Sequence, residues 1–242
     1  MRLLLLGGTS EASELARVLS AHPDIEATLS LAGRTARPAA SPLPTRIGGF
    51  GGIEGLARYL RESATRAVID ATHPFAAQMS ANAVAACAQA GVALAVLTRP
   101  PWRLEAGWRE VGDAGEAAEA LGATPRRVLL TVGRLSAGAF RAAPQHHYVL
   151  RSIDAPDDPP PNTELVLARP PFTLADEREL MASRRIEIVV SKNAGGEATR
   201  AKLDAARELQ LPVLMIRRPP ASGATTFHDV DAVLRWLHGA AS

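Results

Sequence analysis

The stretch "LLLLGGTSEASELARVL", residues 3–19, decides how the chain folds. Four leucines make a strand, two glycines a turn, and after two hydroxyl residues the apolar positions fall at helical spacing. A strand that runs through a glycine turn into a helix is how many proteins hold a dinucleotide. The G-x-G-x-x-G template is incomplete here: with Gly7 as its first glycine, the second position is Thr9 and the third is Ala12. Gly7 and Gly8 let the backbone turn tightly and approach a ligand, while Thr9, Ser10 and the amides opening the helix can donate to phosphate oxygens. The plainer reading is a strand-to-helix turn with Ser10 as its cap.

Outward from this stretch, short β-rich runs alternate with alanine-rich helical runs. Strands are expected at 2–7, 25–31, 45–48, 67–71 and 92–97, with helices at 11–21, 53–63 and 75–90. The pattern restarts near residue 125, with strands at 127–132, 147–151, 164–168, 186–191 and 212–216 and helices at 135–142, 174–183 and 197–209. The two halves echo each other, since "AGVALAVLTRPPW" (90–102) matches "LQLPVLMIRRPPA" (209–221), and each is followed by a short piece, "GWREV" or "TTFHDV", and a last helix. This predicts an α/β chain of two Rossmann-like, doubly wound parallel-sheet domains in tandem, 1–112 and 113–242, with the boundary between 105 and 126. The segment "APDDPPPN" (155–162) reads as a surface loop or lid. Function is expected in the loops at the carboxyl ends of the strands, facing a shared cleft.

Composition bounds the rest. The 242 residues allow two domains with a core each. Cys87, the sole cysteine, sits in an alanine-rich helical run and reads as core, so a disulfide within the chain and a cysteine-based metal site are excluded. The net charge is only +2, which does not fit a chain that wraps nucleic acid. The first apolar run has strand length and no secretory pattern, so the expectation is a cytoplasmic protein with no membrane or nucleic-acid partner. Of the 27 basic residues all but Lys192 and Lys202 are arginine, as a GC-rich genome would produce; guanidinium forks also suit carboxylates and phosphates. The pair His146-His147 lacks ligand partners at helical spacing and reads as surface, and no metal is expected.

The second strand ends in Gly33-Arg34 with no acid nearby, where NAD enzymes place a carboxylate. Arg34, helped by Arg37, therefore favours NADPH over NADH. The turn "GGFGGIEGL" (48–56), beginning with Gly48 and Gly49, implies a close backbone approach, either to the cofactor or to the neighbouring loop. In "DATHPFA" (70–76), Thr72 and His73 lie where a nicotinamide ribose or ring would pass, with Pro74 suited to a first helical turn. His73 fits a donor to cofactor or substrate, a general acid or a structural cap. The second half ends its strands on basic and polar residues: Arg134, Arg151 and Ser152, and the segment "SKNAGG" (191–196).

Taken in order, "GGTSEA", "GGFGGIEGL", "DATHPFA", "RPPW", "TVGR" and "SKNAGG" with "AKLDAARELQLPVLMIRRP" resemble the precorrin-6A reductase family of cobalamin biosynthesis, over almost the whole chain. The resemblance implies two Rossmann-like domains with their last strands exchanged, one for coenzyme and one for tetrapyrrole. It implies reduction of precorrin-6A to precorrin-6B by a reduced nicotinamide cofactor, with hydride to carbon 19 and a proton to carbon 18. Cofactor phosphates would fall on Gly8, Thr9 and Ser10 beside Gly7, and the 2′-phosphate on Arg34. The carboxylates of the tetrapyrrole would go to Arg99, Arg134, Arg151, Lys192 and Arg218, with Ser191 and Asn193 beside them. His73 is the protein candidate for proton donor. The rival readings are a cobalt-precorrin-6A reductase of the anaerobic branch and a non-catalytic dinucleotide-sensing protein. The chain is expected to be a monomer or a weak dimer.

Overall fold

A computed structural model describes residues 1–33 and 40–240. In chain order the elements are β1 (Arg2–Leu6), α1 (Ser10–Leu19), β2 (Glu26–Leu31), β3 (Thr45–Ile47), α2 (Gly52–Glu62), β4 (Ala67–Asp70), α3 (Ala77–Ala90) and β5 (Ala93–Leu97). Then come β6 (Trp108–Val111), α4 (Ala114–Ala120), β7 (Arg127–Thr131), α5 (Arg134–Ala137), β8 (His147–Ser152), β9 (Thr163–Leu167), α6 (Leu174–Ser183), β10 (Ile188–Lys192), α7 (Ala201–Glu208) and β11 (Val213–Ile216). The chain closes with β12 (Thr225–Phe227) and α8 (Val230–Ala240).

These elements form two all-parallel, six-stranded sheets, ordered β3-β2-β1-β4-β5-β12 and β9-β8-β7-β10-β11-β6. Numbered in chain order within its unit, the first sheet runs 3-2-1-4-5-6, the strand order of the dinucleotide-binding fold; in the second, β7–β11 repeat the order 3-2-1-4-5, and β6, first in its unit, takes the sixth place. The sixth strand is the exception to chain order. Strand β6 follows β5 in sequence yet pairs with β11, and β12 follows β11 yet pairs with β5.

The compact units are consequently 1–100 with 219–242, and 101–218. This corrects the linear division into 1–112 and 113–242: the hydrogen-bond ladder of β6 assigns 108–111 to the second sheet, and the tail returns to the first. In unit 1 the tail is secured by Val233 and Leu237 of α8, which are fully buried in the first core, and by a 2.6 Å contact between His228 Nδ1 and the Thr98 carbonyl.

Strand β1 shows why the leucine run folds as it does. Successive side chains alternate between faces, so Leu3 and Leu5 pack with α1 and α8 on one side, while Leu4 and Leu6 pack with Leu56, Leu60 and Ala83 on the other. All four leucines are at most 2% exposed. Burial on both faces, at about 1.5–3 kcal/mol per leucine side chain, explains a continuous apolar run in place of an alternating one. In unit 2 one face of the sheet packs Leu129, Val149, Val189, Val213 and Met215 against Met181 of α6 and Leu203 of α7. No described helix is long and apolar enough to cross a membrane.

Candidate functional site

In unit 1 the strand order reverses between β1 and β4, and the loops leaving these strands flank the crevice where open α/β sheets bind ligands. Gly7 is required there because a Cβ would come within 2.5 Å of Leu29 Cδ1, and Gly8 because its φ is +126°. The helix that follows is capped by Thr9 and not by Ser10: Thr9 Oγ1 accepts the Ala12 amide at 3.1 Å. The same hydroxyl donates to the Ala71 carbonyl at 2.8 Å, stitching the turn after β1 to the end of β4. Its one proton is thereby committed, which corrects the expectation that Thr9 donates a hydroxyl to phosphate. What the turn offers an anion is backbone: the first-turn amides have no partner within the helix and lie at its positive end.

The loop after β4 is held in the same way. Asp70, 3% exposed, accepts the Thr72 amide at 3.0 Å, the Thr72 hydroxyl at 2.6 Å and the Ser80 hydroxyl at 2.5 Å. Helix α3 begins at Ala77, so Pro74 stands in a turn closed by the Ala76 amide on the His73 carbonyl at 2.7 Å, where proline favours the second position, and not in the first helical turn. His73 is exposed, and its Nδ1 accepts the Phe75 amide at 3.2 Å, which makes Nε2 the proton-bearing nitrogen of the neutral ring. Cys87 is core, as its helical run implied; burial, with Asp70 nearby, pushes its thiol up to about 12, so it stays protonated and inert.

The glycine-dense turn approaches itself: a Cβ on Gly55 would lie 1.7 Å from the Phe50 carbonyl oxygen. Arg46 organises it, donating to Ser30 Oγ and to the carbonyls of Gly48 and Gly49 at 2.8–3.0 Å while stacking 3.8 Å above the Phe50 ring. Arg46 belongs to no motif of the sequence, where it is marked only by standing two residues before Gly48. Arg99, expected at the substrate, pairs with Glu11 in the first turn of α1 at 2.7 Å. Arg34 and Arg37 lie outside the described residues.

In unit 2 the reversal falls between β7 and β10. Gly133, with φ +73°, leads into a helix of only four residues, 134–137, that begins with Arg134. At the end of β10, Asn193 is 6% exposed; its Oδ1 accepts the Trp102 amide at 2.8 Å and its Nδ2 donates to the Trp102 carbonyl at 3.0 Å. Trp102 Nε1 donates to the Gly196 carbonyl, and Arg218 donates to the carbonyls of Asn193 and Ala194 at 2.7 and 2.8 Å. Lys202, 4% exposed, donates to the Thr199 carbonyl and lies 4.7 Å from the Trp102 ring centroid. The "RPPW", "SKNAGG" and "IRRP" segments thus fasten one another. Ser191 is fully buried, and Lys192, next to it, is half-buried.

Arg151 is buried as well. It pairs with Glu177 at 2.6 Å, the two side chains being 7% and 0% exposed, and the Phe172 ring stacks on it at 3.9 Å. Arg151, Asn193 and Arg218, expected at the substrate, thus each have partners within the second unit. A strand-end position fixes where a backbone leaves the sheet, not where its side chain turns. His146 is another correction, because it is fully buried, accepting the Arg126 amide at Nδ1 and packing edge-on to Tyr148. Burial holds its imidazole below the ordinary histidine range.

The fold and the turn after β1 define a two-unit α/β protein with two parallel six-stranded sheets, the first in the strand order of the dinucleotide-binding fold. The family model for precorrin-6x reductases, CbiJ/CobK, matches residues 2–238, and the chain belongs to that family. It is 53% identical to a precorrin-6A reductase of Rhodobacter capsulatus, over 99% of this chain and 97% of the relative, and 48% identical to one of Rhodococcus erythropolis, over 98% and 97%. A cobalt-precorrin-6A reductase of Priestia megaterium is 27% identical over 97% of each chain. The solved structure of a CobK precorrin-6A reductase superimposes with a TM-score of 0.94 at 51% identity, covering 100% of this chain and 98% of the other.

Proposed function

We propose that this chain reduces precorrin-6A to precorrin-6B in cobalamin biosynthesis with NADPH, hydride going to carbon 19 and a proton to carbon 18. The observation that carries the reading is the identity pattern. Relatives named for the metal-free substrate are 53% and 48% identical over nearly their whole length, and those named for the cobalt-containing one are 27% and 29% identical.

Unit 1 is the proposed coenzyme domain. Its glycine turn would hold the phosphates through the amides of Gly8, Thr9 and Ser10, while the Thr9 hydroxyl ties that turn to the end of β4 and the Thr72 hydroxyl holds the loop after β4 on Asp70. The coenzyme supplies a hydride when bound. Arg34 supports NADPH, since an arginine that follows the second strand in sequence can attract a 2′-phosphate that a carboxylate would repel. Gly48, Gly49 and His73 border the same end of the sheet, and His73 Nε2 is the proposed proton source.

Unit 2 is the proposed tetrapyrrole domain, with Arg134 and Lys192 as contacts for substrate carboxylates. Incubation with precorrin-6A and NADPH should change the absorption of the chromophore, and silence from folded protein overturns the reaction. Titration with NADPH and NADH tests the coenzyme: Arg34→Ala should weaken NADPH at least tenfold and NADH little. Equal loss of both overturns the 2′-phosphate assignment.

A further inference from the structure

Arg-Pro-Pro occurs three times in the chain, at 99–101, 169–171 and 218–220. Each arginine stands two residues beyond the carboxyl end of a strand, β5, β9 and β11 respectively. Two of the three are engaged close to home: Arg99 with the Glu11 carboxylate at 2.7 Å, and Arg218 with the carbonyls of Asn193 and Ala194. Arg169 is exposed, and among the described residues its guanidinium has neither an ion pair nor a hydrogen bond.

The segment that carries Arg169 is nevertheless fixed at its base. Phe172 stacks on the buried Arg151 guanidinium at 3.9 Å, Arg151 is held by Glu177 at 2.6 Å, and Thr173 caps α6 by accepting the Asp176 amide at 3.1 Å. Two prolines between Arg169 and this anchor restrict the backbone further. An uncommitted cation on a rigid strand-end segment loses little conformational freedom when it binds an anion. The surroundings add a second feature. Strands β8 and β9 are adjacent in the sheet, and Ile153, just past β8, and Leu167, the last residue of β9, are 40% and 58% exposed. Exposed apolar residues at the same strand ends as this guanidinium suit a ligand with apolar faces and a carboxylate rim.

We propose that Arg169 binds a peripheral carboxylate of the tetrapyrrole, with Phe172 on Arg151 as the positioning contact that holds it at the strand ends. The proposal rests on the reading of the chain as a precorrin-6A reductase. The test is steady-state kinetics of Arg169→Ala, Arg169→Lys and Phe172→Ala, varying precorrin-6A at saturating NADPH and the reverse, with a thermal melt of each protein.

Arg169→Ala should raise KM for precorrin-6A about tenfold or more, as expected for loss of one charge-assisted bond, with kcat within about twofold and KM for NADPH unchanged. Arg169→Lys should recover part of the loss, and Phe172→Ala should raise the same KM by a smaller factor. KM of the wild type should rise with salt more steeply than that of Arg169→Ala. An unchanged KM for precorrin-6A in Arg169→Ala overturns the contact, as does an equal rise in KM for both substrates. If Arg169→Ala fails to fold, Arg169→Gln against Arg169→Lys makes the same comparison. A wild-type chain that leaves precorrin-6A unreduced overturns the reaction and the contact together, a result read from the wild type alone.

Discussion

In unit 1, β1 passes through Gly7 and Gly8 into a ten-residue helix capped by Thr9; in unit 2, β7 passes through Gly133 into a helix of four residues that tightens into a 3-10 turn. The strand order around the two turns is the same. A ten-residue helix presents aligned first-turn amides to an anion, whereas a four-residue one has almost no dipole to offer and brings an arginine side chain instead. One topology is thus finished in two ways, by backbone in the first unit and by side chains in the second. The fastenings differ too: hydroxyl-to-carbonyl and hydroxyl-to-carboxylate bonds in unit 1, buried ion and amide pairs in unit 2.

Breaking a buried fastening of unit 2 should cost most. Arg151→Ala leaves the Glu177 carboxylate buried and unpaired, with Oε2 already lacking a partner, so unfolding should move to lower denaturant by about 3–5 kcal/mol. The double variant Arg151→Met with Glu177→Leu should recover most of that loss. Asn193→Ala removes both bonds to the Trp102 backbone inside the protein and should cost about 2–3 kcal/mol, read in the same denaturation.

In unit 1 the effects should be smaller. Thr9→Ala removes the cap and the stitch to Ala71 and should cost about 1–2 kcal/mol, with Thr9→Ser restoring most of it. Coenzyme affinity should follow the same order, because the proposed phosphate contact is made by the amides of the turn and not by the hydroxyl. The smallest effect concerns pH. His146 has its folded-state pKa depressed, so its contribution to stability is full above the unfolded value of about 6.5 and is lost as pH falls through that value towards the lower folded one. Stability of wild type should therefore drop more steeply than that of His146→Gln between about pH 6.5 and 5, measured by urea unfolding.

Much of the fold is legible in the sequence because periodicity is local. The expected strands and helices coincide with the observed ones to within a few residues, and the restart near residue 125 locates β7. The site was legible as loops but less so as side chains. "GGTSEA" marks the right turn, yet whether Thr9 faces a ligand or the Ala71 carbonyl depends on a partner 62 residues away. Asn193 reads as a polar strand-end residue and proves to be matched to the backbone of Trp102, 91 residues distant. Arg169 is one arginine among many in the sequence, and only the partners of Arg99 and Arg218 set it apart from the other two Arg-Pro-Pro arginines.

The opening leucine run, the glycine turn and the alternation of strand and helix follow from side-chain period and backbone sterics, which each segment carries within itself. The destination of β6 and β12, the commitment of the Thr9 and Asn193 side chains, and the burial of His146 depend on long-range pairing. No local pattern encodes them, since a strand's hydrogen bonds are satisfied equally well by either sheet edge; the exchange of the last strands was legible only through the family resemblance, and long-range packing, such as that of Val233 and Leu237 of α8 in the first core, accompanies it.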